Sequence, residues 1–259
     1  MSGPRVHPAS FVDPAAKLAD GVVVGPGAVI GPNVSIGENT TVGSHALLEG
    51  WLTIGRDCRI HHGAVLGTVP QDLKYPGGES YLTVGDRTVV REYVTANLAT
   101  DAGETTRIGS DCLLMAYVHI AHNCQVGDHV VLANVVQLAG YVAVEDWAIL
   151  GGGTMVHQFT RVGRHAMVGG GTRVSQDITP FVKVAGSPPR LIGINSIGLQ
   201  RRGFSPESVQ ALDRAYRILF RDRLTVEQAL ARMRGTFPGV AEVEQLAHFT
   251  ETSVRGITR

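Results

Sequence analysis

Aliphatic side chains recur at every sixth position along the first two thirds of the chain. The register runs Val6, Val12, Leu18, Val24, Ile30, Ile36, Val42, Leu48, Ile54, Ile60 and Leu66. It returns at Val84 and Val90, then runs unbroken from Ile108 to Val174. Of the 29 multiples of six between 6 and 174, 25 are Val, Ile or Leu, so the period is structural rather than accidental. Six fits neither the 3.6 of a helix nor the 2.0 of a plain strand. It is the period of a hexapeptide β-solenoid, in which each unit is one short strand and a turn. Three units close a triangular coil. Residues 18 apart therefore stack, with coils about 4.8 Å apart as paired strands are. Two residues before each aliphatic the side chain is small or β-branched (Ala28, Val34, Thr40, Ala46, Ala64), and it also points inward. Gly follows many of the aliphatics, as at Gly25, Gly31 and Gly37, where a corner needs a positive φ or close backbone approach.

Two stretches interrupt the period. Residues 67–83 carry Gln71, Asp72, Lys74 and Tyr75 among Pro and Gly, and residues 97–107 form a second break. Loops of this length in a regular solenoid favour a functional role, and the first is the stronger binding candidate. The repeat fades near Pro180, and Gly186-Ser187-Pro188-Pro189 marks a boundary. We read a solenoid over residues 1–186 and a small helical domain over 187–259. Ser205 before Pro206 is an N-cap with Pro at the first helical position, opening a helix to about Asp222. Thr225 with Gln228 forms a capping box for a second helix, and a third covers Ala241–Thr250. The expected class is all-β solenoid with a C-terminal α-helical domain.

Charge and cysteine content narrow the function. Lys plus Arg equal Asp plus Glu, 23 of each, which argues against a nucleic-acid binder. Residues 187–259 nevertheless hold 11 Arg, no Lys and 7 acidic residues, a net of +4 that suits an acidic or phosphate-bearing partner. No signal peptide or membrane-spanning run is evident, and three unpaired cysteines fit a cytoplasmic location. Cys58, Cys112 and Cys124 all occupy the small inward position, so they read as buried apolar residues rather than a zinc or disulfide set.

Of ten histidines, His122 has the most chemical context. It lies in His119-Ile120-Ala121-His122-Asn123-Cys124, two residues past an inward aliphatic and hence near a corner. Adding 18 twice places Gly140 and Gln158 in its column. An imidazole beside a bare glycine suits general-base chemistry, with the glycine N–H as an oxyanion donor. His119 and His122 as metal ligands are a weaker reading. Their odd spacing sends the side chains apart, and a third ligand would have to come from another subunit. Neither a Gly-x-Ser-x-Gly nucleophile nor a phosphate-binding GxxxxGK[ST] loop occurs.

Several segments resemble the UDP-N-acetylglucosamine O-acyltransferase family, which opens lipid A biosynthesis, over nearly the whole length. They are Gln71-Asp72-Leu73-Lys74-Tyr75, His119-Ile120-Ala121-His122, Leu138-Ala139-Gly140, Val156-His157-Gln158-Phe159 and Gly198-Leu199-Gln200-Arg201-Arg202-Gly203-Phe204. The resemblance implies a left-handed parallel β-helix, a homotrimer with active sites between subunits, and no cofactor. It implies transfer of a 3-hydroxyacyl chain from acyl carrier protein to the 3-OH of UDP-N-acetylglucosamine. His122 matches the general base and Gly140 the oxyanion donor. Gln71, Asp72 and Lys74 match substrate-contacting loop positions, and His119, His157 and Gln158 match the cleft lining. Asn195 and Arg202 match nucleotide-side positions, with Arg201 nearby for phosphate. Gly170 matches a position that sets acyl length and leaves room for a longer chain. The sequence departs from the family at Asn123, where Asp is usual, at Tyr141, where a His is usual, and at Pro188, where some members carry His. An amide orients an imidazole but does not stabilise imidazolium as a carboxylate does. The Asn123 and Tyr141 departures leave open an amide-forming transfer to a 3-amino sugar nucleotide. A related hexapeptide N-acyltransferase, a small-molecule acetyltransferase using coenzyme A, and a non-enzymatic scaffold are further alternatives.

Overall fold

The computed structural model describes residues 3–259. The solenoid is a left-handed parallel β-helix followed by a C-terminal helical part. Among the described residues its short strands form three sheets of eleven, nine and eight strands, the faces of a triangular prism. The first sheet carries Val24, Leu114 and Leu132, the second Ile30, Ile120 and Leu138, and the third Ile36, Val126 and Val144. Chain order visits them in that sequence, so each coil turns three corners: first-to-second, second-to-third and third-to-first.

The six-residue period maps directly onto burial. Ile30, Leu48, Leu114, Ile120 and Leu138 are fully buried, as are the small inward residues Ala28, Ala64 and Thr172. Burial is weaker over the first described coil, where Val6 is 44% exposed. The three cysteines are buried within this core. Burial pushes the Cys112 thiol up to about 11 and Cys124 to about 12, so neither ionises near neutrality.

Several glycines after the aliphatics answer a problem of proximity, whereas Gly67 takes a positive φ of 87°. A Cβ on Gly37 would lie 2.6 Å from the carbonyl carbon of Gly55 in the next coil. Positive φ falls two residues later instead, at Asn39, Asp57, Asn123, Tyr141 and Phe159 among others. Left-handed backbone at a non-glycine costs about 1–2 kcal/mol. Stacked rings offset that cost along the corners: Tyr141 on Phe159 at 4.9 Å and His129 on Trp147 at 3.9 Å between centroids.

Ordinary strand partners are 18 apart, as His119 is from Gln137. Across the first interruption Val65 pairs with Thr95, 30 apart, and across the second Thr95 pairs with His119, 24 apart. The loops thus add twelve and six residues, multiples of the period, and the aliphatic register survives both. Strand pairing reaches into their flanks, as far as Thr68 with Asn97 and Tyr81 with Thr105. Both loops leave the second sheet and return on the third, so both stand at the second-to-third corner.

At the far end Val182–Ala185 joins the first sheet and pairs antiparallel with Arg190–Ile194. Four helices follow: α1 (Ser196–Arg201), α2 (Pro206–Phe220), α3 (Val226–Thr236) and α4 (Ala241–Glu251). The Ser205 side chain caps α2, and Thr225 with Gln228 makes the full capping box of α3. The C-terminal segment laces this unit to the last coil. The Asp177 N–H donates to the Gly256 carbonyl and the Thr258 N–H to the Asp177 carbonyl, while Arg161 stacks 4.1 Å from the Phe249 ring centre. No described helix is long and apolar enough to cross a membrane.

Replacing a mid-column aliphatic should cost far more than replacing the exposed Val6. Leu132→Ala, at a fully buried site, is expected to lose about 2–5 kcal/mol in urea unfolding. Val6→Ala is expected to stay within about 1 kcal/mol.

Candidate active site

His122 and Asn123 occupy the second-to-third corner, at the point where the strand His119–Ile120 ends. Gly140 is one coil on. The Tyr141 N–H donates to the His122 carbonyl and the Phe159 N–H to the Gly140 carbonyl, which fixes the rungs one above another. The imidazole fills the space a side chain at 140 would need. A Cβ there would lie 2.4 Å from His122 Cε1 and 2.6 Å from Nε2. Only glycine fits beneath that ring. At the third-to-first corner the equivalent N–H groups of Ser110 and Asp128 donate to the Asp128 and Asp146 carboxylates. The Gly140 N–H donates to no protein acceptor among the described residues.

The imidazole is held from behind. His122 Nδ1 is 2.9 Å from Asn123 Oδ1, and the ring meets Tyr141 edge-on at 5.4 Å. Asn123 is buried, and its amide is anchored at both ends. Oδ1 accepts from the Thr100 N–H at 3.1 Å, and Nδ2 donates to Glu104 Oε2. Thr100 Oγ1 lies 2.9 Å from Asn123 Oδ1 and 3.0 Å from the Tyr141 hydroxyl. A carboxylate only accepts and an N–H only donates, so the amide orientation is determined. Its oxygen therefore faces His122 Nδ1, which must carry the proton and leave Nε2 bare in the neutral ring.

Thr100 and Glu104 come from the second loop and were not singled out from the sequence. One signal was available: subtracting a coil of 18 from Asn123 lands on Thr105, beside Glu104.

The remaining expected site residues divide among all three corners. His119 sits on the second sheet with Nδ1 2.7 Å from Thr95 Oγ1, and burial, then the His122 charge, hold it below the usual imidazole range. Gln158 continues the His122 column and is exposed, as is His157 beside it. A groove of about 550 Å³ runs from His157 past Arg173 and Ser175 to Pro188. The first loop puts Gln71 and Lys74 in solvent, with Asp72 half-buried; the Asp72 carboxylate accepts from the Lys74 N–H at 2.9 Å. Gly170 lies at the first-to-second corner, one coil above Gly152. Asn195 and Arg202 flank α1 at the third-to-first corner. Asn195 is buried, and its Nδ2 donates to the His165 carbonyl at 3.0 Å. Arg202 donates to His165 Nδ1 at 3.1 Å and its Cζ lies 5.1 Å from the Trp147 ring centre. Arg201 is exposed. One chain therefore does not gather these residues. A cavity of about 640 Å³ between Lys183, Ser196 and Glu207 contains none of them.

The fold, a solenoid of six-residue repeats, is that of the hexapeptide-repeat transferases. Residues 33–68 and 105–140 match the family model described as bacterial transferase hexapeptide (six repeats), and 177–258 match domain 2 of UDP N-acetylglucosamine O-acyltransferase. The acyl-[acyl-carrier-protein]–UDP-N-acetylglucosamine O-acyltransferase of Thermodesulfovibrio yellowstonii is 43% identical over 98% of this chain and 99% of its own. That of Herminiimonas arsenicoxydans is 49% identical over 98% and 99%. The UDP-N-acetylglucosamine acyltransferase LpxA of Bacteroides fragilis superposes with a TM-score of 0.96 at 38% identity, covering 98% of this chain and 100% of that one. The chain belongs to the acyl-[acyl-carrier-protein]–UDP-N-acetylglucosamine O-acyltransferase family.

His165 gives this end of the molecule a pH dependence. Burial, and next the Arg202 charge, lower its pKa from 6.5 to about 4. The folded ring stays neutral where the unfolded one protonates, so stability is full above about 6.5 and falls as pH drops toward 4. Thermal melts across that window should steepen with acid, and His165→Gln should flatten the curve. An unchanged slope would contradict the assignment.

Proposed function

We propose that the protein transfers a 3-hydroxyacyl chain from acyl carrier protein to the 3-OH of UDP-N-acetylglucosamine, in lipid A biosynthesis. The observation that carries the residue roles is the His122 ring lying over Gly140 with its Nδ1 held by Asn123. In this reading His122 Nε2 takes the proton of the sugar hydroxyl as that oxygen attacks the thioester carbonyl. The oxyanion that forms accepts a hydrogen bond from the Gly140 N–H. Collapse breaks the C–S bond, and the thiolate of the carrier's prosthetic group leaves with the proton held on His122. The ester remains on the sugar.

The distribution of residues over three corners supports a site shared between subunits of a homotrimer. The edge bearing His122 and the Gln71–Lys74 loop would meet a neighbour's edge bearing Asn195, Arg201 and Arg202. The exposed Leu73 at the loop tip is suited to such a contact. The groove from His157 to Pro188 offers a path for the acyl tail, and Gly170, at the position matched to acyl length, would leave room for a longer chain.

The test is an acyl-transfer assay with 3-hydroxyacyl carrier proteins of graded length, offering UDP-N-acetylglucosamine and its 3-amino analogue. Ester product is expected, with His122→Ala reducing the rate by roughly 10²- to 10⁴-fold while the oligomer stays folded. Full activity in a folded His122→Ala protein would remove the base assignment. Product with the amino analogue alone would keep the mechanism and change the acceptor.

A further inference from the structure

We propose that Glu104 is a positioning residue for the transfer reaction, supplying through Asn123 the negative charge that supports the His122 imidazolium. The inference rests on the reading of His122 as general base. The inserted second loop leaves the second sheet after Asn97 and rejoins the third at Thr105. It therefore returns at the corner that carries His122. Its last residue before the strand, Glu104, accepts a hydrogen bond from Asn123 Nδ2. The opposite end of the same amide faces His122 Nδ1 at 2.9 Å. A carboxylate, an amide and an imidazole thus stand in line, with the amide dipole oriented so that its oxygen points at the ring.

An amide alone orients an imidazole but carries no charge to meet the proton the ring accepts. Here the charge stands one residue further back, and the amide relays it without itself gaining or losing a proton. The loop adds a second clamp, since the Thr100 N–H and hydroxyl both hold Asn123 Oδ1. The groups that face His122 are Asn123, the Tyr141 ring and His119, with Glu104 and Asp101 behind them. Glu104 and Asp101 are the carboxylates of that set, and Asp101 reaches the network only through Thr100 Oγ1 at 3.2 Å. Glu104 is itself exposed while the amide it holds is buried, so solvent screens its effect in part.

Glu104→Gln keeps an acceptor for Asn123 Nδ2 and removes the charge. It should lower kcat/KM on the order of tenfold, the scale of one hydrogen bond to a charged group, and leave the KM for the sugar nucleotide unchanged. The acid limb of the pH profile should move to lower pH, because the protonated ring loses support. A purely structural role would not move that limb. In an Asn123→Asp background the carboxylate stands directly against the ring, and there Glu104→Gln should no longer reduce kcat/KM. Equal losses in both backgrounds, or an unchanged rate and pH profile for Glu104→Gln, would overturn the proposal. His122→Ala assayed alongside separates the two claims: if it remains active, the base assignment fails, whatever Glu104 does.

Discussion

Everything in this molecule depends on the burial of one aliphatic side chain every six residues inside a prism one coil wide. Each fully buried Val, Leu or Ile contributes roughly 1.5–3 kcal/mol, and there is no second layer to share the task. A coil out of phase by one residue would turn its aliphatics outward. Hence both loops insert whole multiples of six, twelve and six residues, and strand pairing resumes in register beyond them. The same constraint presses successive corners together. At Gly37 and Gly43 the next coil's backbone arrives within 3 Å of the Cβ position, and only glycine leaves room for it.

That rigidity is what the chemistry uses. Backbone hydrogen bonds fix residues 18 apart above one another, so a side chain on one rung is aimed at the next without a flexible loop between them. The imidazole of His122 meets the bare Gly140 rung for this reason. The loops do the opposite work: because they are not bound by the period, they can bring polar groups to a corner that the solenoid alone would leave to solvent. Thr100 and Glu104 are such groups. The Arg-rich helical unit sits at another edge, tied to the last coil through Asp177 and Arg161, and offers its charge to a different face.

The solenoid and the His122–Gly140 column were legible in the sequence because burial here is one-dimensional: a fixed period converts position directly into direction. Adding 18 was enough to stack Gly140 on His122. The helices were legible through their caps at Ser205 and Thr225. Three features were not. The positive φ of the corners falls not only on glycines but on Asn39, Asp57, Tyr141 and Phe159, where Asn and Asp tolerate it by residue type and the stacked Tyr141 and Phe159 rings offset its cost. Arg190–Ile194 follows a Pro-Pro pair and precedes helices, but it pairs antiparallel with Val182–Ala185, a contact set by tertiary closure of the first sheet. Glu104 lies in an aperiodic loop whose path no repeat encodes, so Asn123 read as a lost carboxylate when one stands directly behind its amide.

The most direct measurement is the tautomer of His122, read from the ring ¹⁵N resonances of histidine-labelled protein above the titration of the ring. The expected result is a protonated Nδ1 and a bare Nε2, the state set by the anchored Asn123 amide and needed to accept a proton over Gly140. A protonated Nε2 in the neutral ring would contradict both the hydrogen-bond assignment and the role as base.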